Sequence, residues 1–131
     1  MNPMLALRQY QKIGAQAQTS EASPHRLVQM LMEGGLDRIA QAKGAMERKE
    51  IANKGLAIGK AIGIIGGLRE GLDRENSAET IGKLDNLYVY MIKRLTDANI
   101  RNDATILDEV ADLLRTVKDG WDAIAEPGPQ F

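Results

Sequence analysis

The side chains that could do chemistry are few, and their spacing does not assemble a reaction. His25 is the only histidine, and it sits directly after a Ser-Pro pair, where a structural or solvent-exposed role is expected rather than catalysis. There is no cysteine, which removes disulfides, thiolate metal ligands and thiol nucleophiles. A di-iron bundle needs two Glu-x-x-His motifs projecting inward, and the chain has none. The Ser, Asp and His residues form no nucleophile elbow. Gly59-Lys60 is followed by Ala61 rather than Ser or Thr, so no phosphate loop is present. No enzyme activity, cofactor or metal is expected. The remaining chemistry is association through apolar surface.

That surface centres on Ile51 to Leu72. Ile51, Ile58, Ile62, Ile65 and Leu72 step by 7, 4, 3 and 7, which is one face of a helix. Leu56, Ala57, Ala61, Ile64 and Leu68 widen the face until only Lys54, Lys60 and Arg69 mark a polar edge. Such a helix must be covered on several sides. Gly55, Gly59, Gly63, Gly67 and Gly71 recur every fourth residue, with Gly66 added. Each interior glycine costs a helix about 1 kcal/mol against alanine. Packing must therefore hold the helix, and the glycine ridge is expected to admit a second backbone, from this chain or from a partner. The apolar run from Gly55 to Leu68 is 14 residues and contains Lys60. A membrane span needs about 20, so insertion is not expected; an interfacial amphipathic helix is the weaker alternative.

Three more helices must position this one. Ser23-Pro24 starts a helix, with Arg26 where a capping box would carry Glu. Leu27, Val28, Leu31, Met32, Leu36, Ile39, Ala42 and Met46 give its stripe, which should end near Arg48 to Glu50. Gly34-Gly35 within it implies either close approach of a neighbour or a kink. After a polar turn at residues 73–77, Ser77 is a cap for Ile81, Leu84, Tyr88, Met91, Leu95 and Ala98, an a/d seam. Tyr88 belongs to that seam and Tyr90 to a different, exposed flank. Asp103 caps a last helix carrying Ile106, Leu107, Val110, Leu113, Leu114, Val117, Trp121 and Ile124. The fold class expected is all-α, an antiparallel up-down-up-down four-helix bundle over residues 23–125 with short links. Residues 1–22 form a mobile N-terminal segment or short helix, read either as a frayed end or as a reversible cap, and 126–131 a flexible tail. Lys and Arg total 17 against 18 Asp and Glu, so no nucleic-acid partner is expected. No secretion signal opens the sequence, and a cytoplasmic location is expected.

The chain resembles the bacterial flagellin-export chaperones, the FliS family. The resemblance rests on Tyr10-Gln11, Ala22-Ser23-Pro24-x-x-Leu27-Val28-x-Met30-Leu31, Glu33-Gly34 with Leu36 and Ala42, and Lys60-Ala61-x-x-Ile64-Ile65-x-x-Leu68 with Leu72. Its most specific piece is Leu84-x-x-Leu87-Tyr88-x-Tyr90-Met91, followed by Asp108-Glu109-Val110-x-x-Leu113-Leu114 and Trp121. Met32, where the family often has an aromatic, and the glycine-rich second helix depart from the pattern. The resemblance implies a four-helix bundle that binds the C-terminal segment of flagellin, keeps it from polymerising in the cytoplasm and hands it to a component of the flagellar type III export gate. Burying about 1,000 Å² of apolar area on a client helix yields on the order of 25 kcal/mol gross, before large ordering costs. The partner-binding residues expected are Ile58, Ile62, Ile65 and Leu68 on the second helix and Tyr90, Met91, Ile92 and Leu95 on the third. Leu7 and Tyr10 are expected to cover that groove until a client arrives. A self-associating bundle, using the same face for a homodimer, is the competing reading.

Overall fold

The computed structural model describes residues 22–72 and 78–124. Four helices account for nearly all of them: α1 (Pro24–Glu47), α2 (Ile51–Glu70), α3 (Ala78–Arg101) and α4 (Ala104–Ala123). Strands are absent among the described residues. The N-terminal segment with Leu7 and Tyr10, the cap at Ser77 and the tail lie outside them.

The helix ends follow from local chemistry. Ser23 Oγ accepts the Arg26 N–H at 3.1 Å, with Pro24 in the first turn, where its missing N–H costs nothing. Asp103 does the same for α4, accepting from Thr105 N at 2.9 Å and Thr105 Oγ1 at 2.6 Å. α1 and α3 stop at single residues in the left-handed region, Lys49 (φ 60°) and Asn102 (φ 53°). Asn tolerates that region because its short amide can bond locally.

α1 packs on α2, α2 on α3, α3 on α4 and α4 back on α1, with no close backbone approach across either diagonal among the described residues. Polar bonds between helices fix the direction of two of these pairs. Arg69 near the end of α2 meets Asp85 near the start of α3, and Lys54 near the start of α2 meets Asn99 near the end of α3. Lys43 late in α1 meets Asp108 early in α4, and Gln29 early in α1 meets Asp122 late in α4. α2 against α3 and α4 against α1 are therefore antiparallel, links of three and two residues turn the chain back between the other two pairs, and the architecture is the up-down-up-down bundle that the short links imply.

The core runs through Leu31, Met32, Ile39, Ile58, Ile65, Tyr88, Met91, Leu95, Leu107, Val110 and Leu114. α1 passes Gly34-Gly35 as one uninterrupted helix. A Cβ on Gly35 would stand 3.1 Å from Leu114 Cδ2 and 3.6 Å from Ile64 Cγ2, so the glycine exists for close approach and not for a kink. The ladder in α2 is only partly such a ridge. Gly63, Gly66 and Gly67 are buried, but a Cβ on Gly55 or Gly59 would meet nothing within 4 Å. Fourfold spacing drifts around a helix by 40° per step, so it cannot keep five glycines against one neighbour.

Two expectations about α2 need correction. The helix is 20 residues, long and apolar enough to cross a membrane by length and composition. Length therefore does not exclude a span; what accounts for the composition is burial of more than half of it inside the bundle. Lys54 is also not part of a polar edge. It is 6% exposed and reaches across to the end of α3.

Candidate functional site

The links between helices set where the bundle opens. α1 and α2 are joined by three residues and α3 and α4 by two, whereas seven separate α2 from α3. Short links hold the seams together at one end. At the other end, the start of α1, the end of α2, the start of α3 and the end of α4 line a cavity of ≈ 830 Å³.

The seams themselves build this cavity. Leu27, Val28 and Leu31 come from α1, Leu68 and Leu72 from α2 and its end, Ile81, Leu84 and Leu87 from α3, and Val117 and Trp121 from α4. Along α3 the deep seam positions Tyr88, Met91, Leu95 and Ala98 are buried, while Leu84 and Ile81, one and two turns earlier, are only half-buried. The same gradient runs along α4, from fully buried Leu114 through half-buried Val117 and Trp121 to Ile124, which is 55% exposed. The stripe does not change character; its cover thins toward this end.

Met32, Leu68 and Tyr88 are buried residues in the lining. Tyr88 is 2% exposed, and burial pushes its phenol up to about 12. Its hydroxyl has no hydrogen-bond partner among the described residues. A buried hydroxyl without an acceptor costs about 1–3 kcal/mol, so this atom has bonding capacity to offer an occupant.

One rim is clamped by polar contacts. The Trp121 indole N–H donates to the His25 carbonyl at 3.0 Å, and the two rings stack with centroids 4.8 Å apart and planes 15° from parallel. Gln29 donates to Asp122 at 2.8 Å, and Lys118 pairs with Asp122 at 2.7 Å. The Lys118 ammonium, helped by the Gln29 bond, holds the Asp122 carboxyl below its usual range. His25 is thus a structural residue of the rim, as its place at a helix start suggests. Among the described residues no cluster of three or more metal-ligating side chains occurs.

Of the partner-binding residues expected from the sequence that are among the described residues, only Leu68 lines the cavity. Ile58, Ile65, Met91 and Leu95 are in the central core, exposed by 1% or less, and offer no surface in this conformation. Equal hydropathy hides the distinction: a seam residue in the middle of a bundle and one near its end look alike in sequence. Ile62 and Ile92 are half-buried against the core. Tyr90 is exposed and faces α4, where its hydroxyl donates to Glu109 at 2.7 Å. Arg94 donates to the same carboxylate at 2.8 Å, and these two bonds, Arg94 first, hold Glu109 below its usual range. Leu27, Val28, Ile81, Leu84, Leu87 and Val117 line the cavity and are not among the partner-binding residues expected from the sequence, where they read only as seam positions.

Comparison with known proteins agrees with this architecture. Residues 6–128 match the family described as flagellar protein FliS. The chain is 60% identical over 125 residues to the flagellar secretion chaperone FliSB of Pseudomonas aeruginosa, covering 95% of this chain and 99% of that one. It is 42% identical to the flagellar secretion chaperone FliS of Vibrio cholerae, covering 91% and 88% of the two chains. With the Salmonella typhimurium protein of the same name the identity is 38%, over 91% and 89%. These proteins are chaperones, not a class of enzyme. With a match that runs nearly end to end and a bundle whose four seams open on an apolar cavity, the chain belongs to the FliS family.

Proposed function

We propose that this protein is a cytoplasmic export chaperone for flagellin, and that the C-terminal helical segment of flagellin is its client. The observation that carries the reading is the apolar cavity at the open end of the bundle, where the half-buried ends of the four seams supply side chains from every helix. An amphipathic client helix laid there buries the stripe through which it would otherwise polymerise. The chaperone then delivers its client to the export gate of the flagellar type III apparatus. Binding needs no cofactor and no covalent step.

Residues 1–22 act in this reading as a reversible cap on the apolar surface, with Leu7 and Tyr10 as its anchors, and 126–131 as a tail. Ile62 and Ile92, half-buried at the surface of α2 and α3, extend the contact beyond the cavity, and Tyr90 belongs to the outer face presented to the client or the gate. Ile58, Ile65, Met91 and Leu95 take part only by holding the helices in register.

Calorimetry with a peptide of the flagellin C-terminal segment tests the proposal. The expected result is a 1:1 complex with a gain in helical circular dichroism. Leu84→Ser and Val117→Ser should each weaken it by about tenfold, the loss of roughly 1.4 kcal/mol of apolar contact, while both variants melt cooperatively. A folded protein that takes up no peptide sinks the reading. Sedimentation of the free protein separates the homodimer alternative, in which a second copy fills the site and the peptide must compete with it. Deleting residues 1–17 should raise the fluorescence of an apolar-surface dye; unchanged fluorescence removes the cap.

A further inference from the structure

At the opposite, tightly linked end of the bundle lies a second pocket, of ≈ 430 Å³, between the end of α1, the start of α2 and the end of α3. Lys54 is in its lining and is the one buried charged residue among those described. Its ammonium has three N–H groups. Two are spent, on the Asn99 carbonyl and on Asn102 Oδ1, both at 3.0 Å. No carboxylate lies within ion-pair distance of it among the described residues. A buried charge left without a counter-charge is costly.

Three acids near this end have partners of their own, and one of them, Glu50, also lines the pocket. Glu50 pairs with Arg48 at 3.1 Å, Asp97 with Arg94 at 3.2 Å, and Asp103 caps α4. The start of α2 adds to the same excess. Glu50 makes no capping bond and the first turn contains no acidic residue, so the N–H groups of Ile51, Ala52 and Asn53 keep their positive end of the helix dipole uncovered. The C-terminal carbonyls of α3 supply about half a negative charge, which leaves the Lys54 ammonium under-neutralised. Beside these donors stand Ile51 and Ile100, 74% and 77% exposed, the most exposed large apolar residues described. Both line the pocket, with Met46 behind them.

We propose that this pocket is a second docking site, and that its occupant is the free C-terminus of a partner chain ending in an aliphatic residue. The carboxylate takes the unspent Lys54 donor and the α2 N–H groups, and the aliphatic side chain lies between Ile51 and Ile100. An α-carboxylate and the side chain on the same carbon are held within one residue, as the adjacent donors and isoleucines require. An internal Glu or Asp places its carboxylate at the end of its own side chain and must bring the apolar group from a neighbouring residue. The site is at the far end of the bundle from the cavity and does not depend on what fills that cavity.

The test uses the full-chain protein and the tripeptide acetyl-Ala-Ala-Leu with a free C-terminus, read by amide chemical shifts in a titration. Saturable shifts at Ile51, Ala52 and Asn53 are expected, with about tenfold weaker binding for the C-terminally amidated peptide, which lacks the charge of the strong hydrogen bonds. Lys54→Met should abolish the response. Because Lys54 also caps α3, Asn53→Asp is the second variant: it leaves the lysine in place, puts a competing carboxylate into an exposed position of the first turn and should abolish binding without loss of helicity. Equal binding of acid and amide, no shift at these amides, or retention of binding by Asn53→Asp overturns the proposal. So does inorganic phosphate shifting the same amides as strongly as the tripeptide, which would mark the site as one for an adventitious ion only.

Discussion

Tyr88 and Lys54 are both polar groups carried on stripes that otherwise read as apolar or solvated, and they meet burial in opposite ways. Lys54 finds two acceptors at the end of α3, whereas the Tyr88 hydroxyl has none among the described residues. Burial raises the Tyr88 phenol to about 12, against an ordinary value of 10.0. Below pH 10 the phenol is neutral in folded and unfolded chains alike. Between pH 10 and 12 the unfolded chain ionises first, so stability falls as pH rises through that window, by about 3 kcal/mol for two pKa units. Chemical denaturation at pH 9 and pH 12 should show this loss, and Tyr88→Phe should remove most of it. At neutral pH the same substitution should leave stability unchanged or raise it, since it deletes an unsatisfied hydroxyl without opening a hole. The seam position of Tyr88 and the exposed flank of Tyr90 were readable from spacing alone. The fate of their hydroxyls was not, because it depends on which acceptors other helices bring within reach.

Among the elements, α2 shows best what periodicity can and cannot tell. Its start, extent and buried stripe follow from the placing of Ile58, Ala61, Ile65 and Leu68. Its glycines look equivalent in sequence and are not. Gly55 and Gly59 face open space, so Gly55→Ala and Gly59→Ala should each stabilise the protein by about 1 kcal/mol through helix propensity, seen as a rise of roughly 4 °C in Tm. In α1, Gly35→Ala should fall short of that gain, because the new methyl must displace Leu114 Cδ2 from 3.1 Å. Reversal of this order in thermal melts would show that α2 is gripped along its whole glycine ladder. The candidate site was less legible than the fold for a related reason. Helical spacing assigns residues to a face but carries no information on how far along the bundle that face remains covered. Ile65 and Ile81 are alike in type, and only their place along the bundle makes one core and the other wall.

For the whole molecule, the two ends of the bundle, about 30 Å apart for 20-residue helices, differ in character. One presents an apolar cavity with a polar clamp on its rim; the other presents a buried cation between two exposed isoleucines. Client binding at the cavity should therefore respond little to ionic strength: raising salt from 50 to 500 mM should change the peptide affinity by less than about threefold, since the contacts there are apolar and only charged contacts are screened. A steep decline with salt would move the client off the cavity and onto the charged faces.

The unequal links have a mechanical consequence. Three residues and two residues join the helices at one end, and seven separate α2 from α3 at the other. The turns at 48–50 and 102–103 tie that end together, and the client proposed above seats at the other. Amides near Val28, Leu84 and Val117 should exchange with solvent sooner than those near Met46, Leu95 and Leu107, and a seated client should slow the first group while leaving the second as it was.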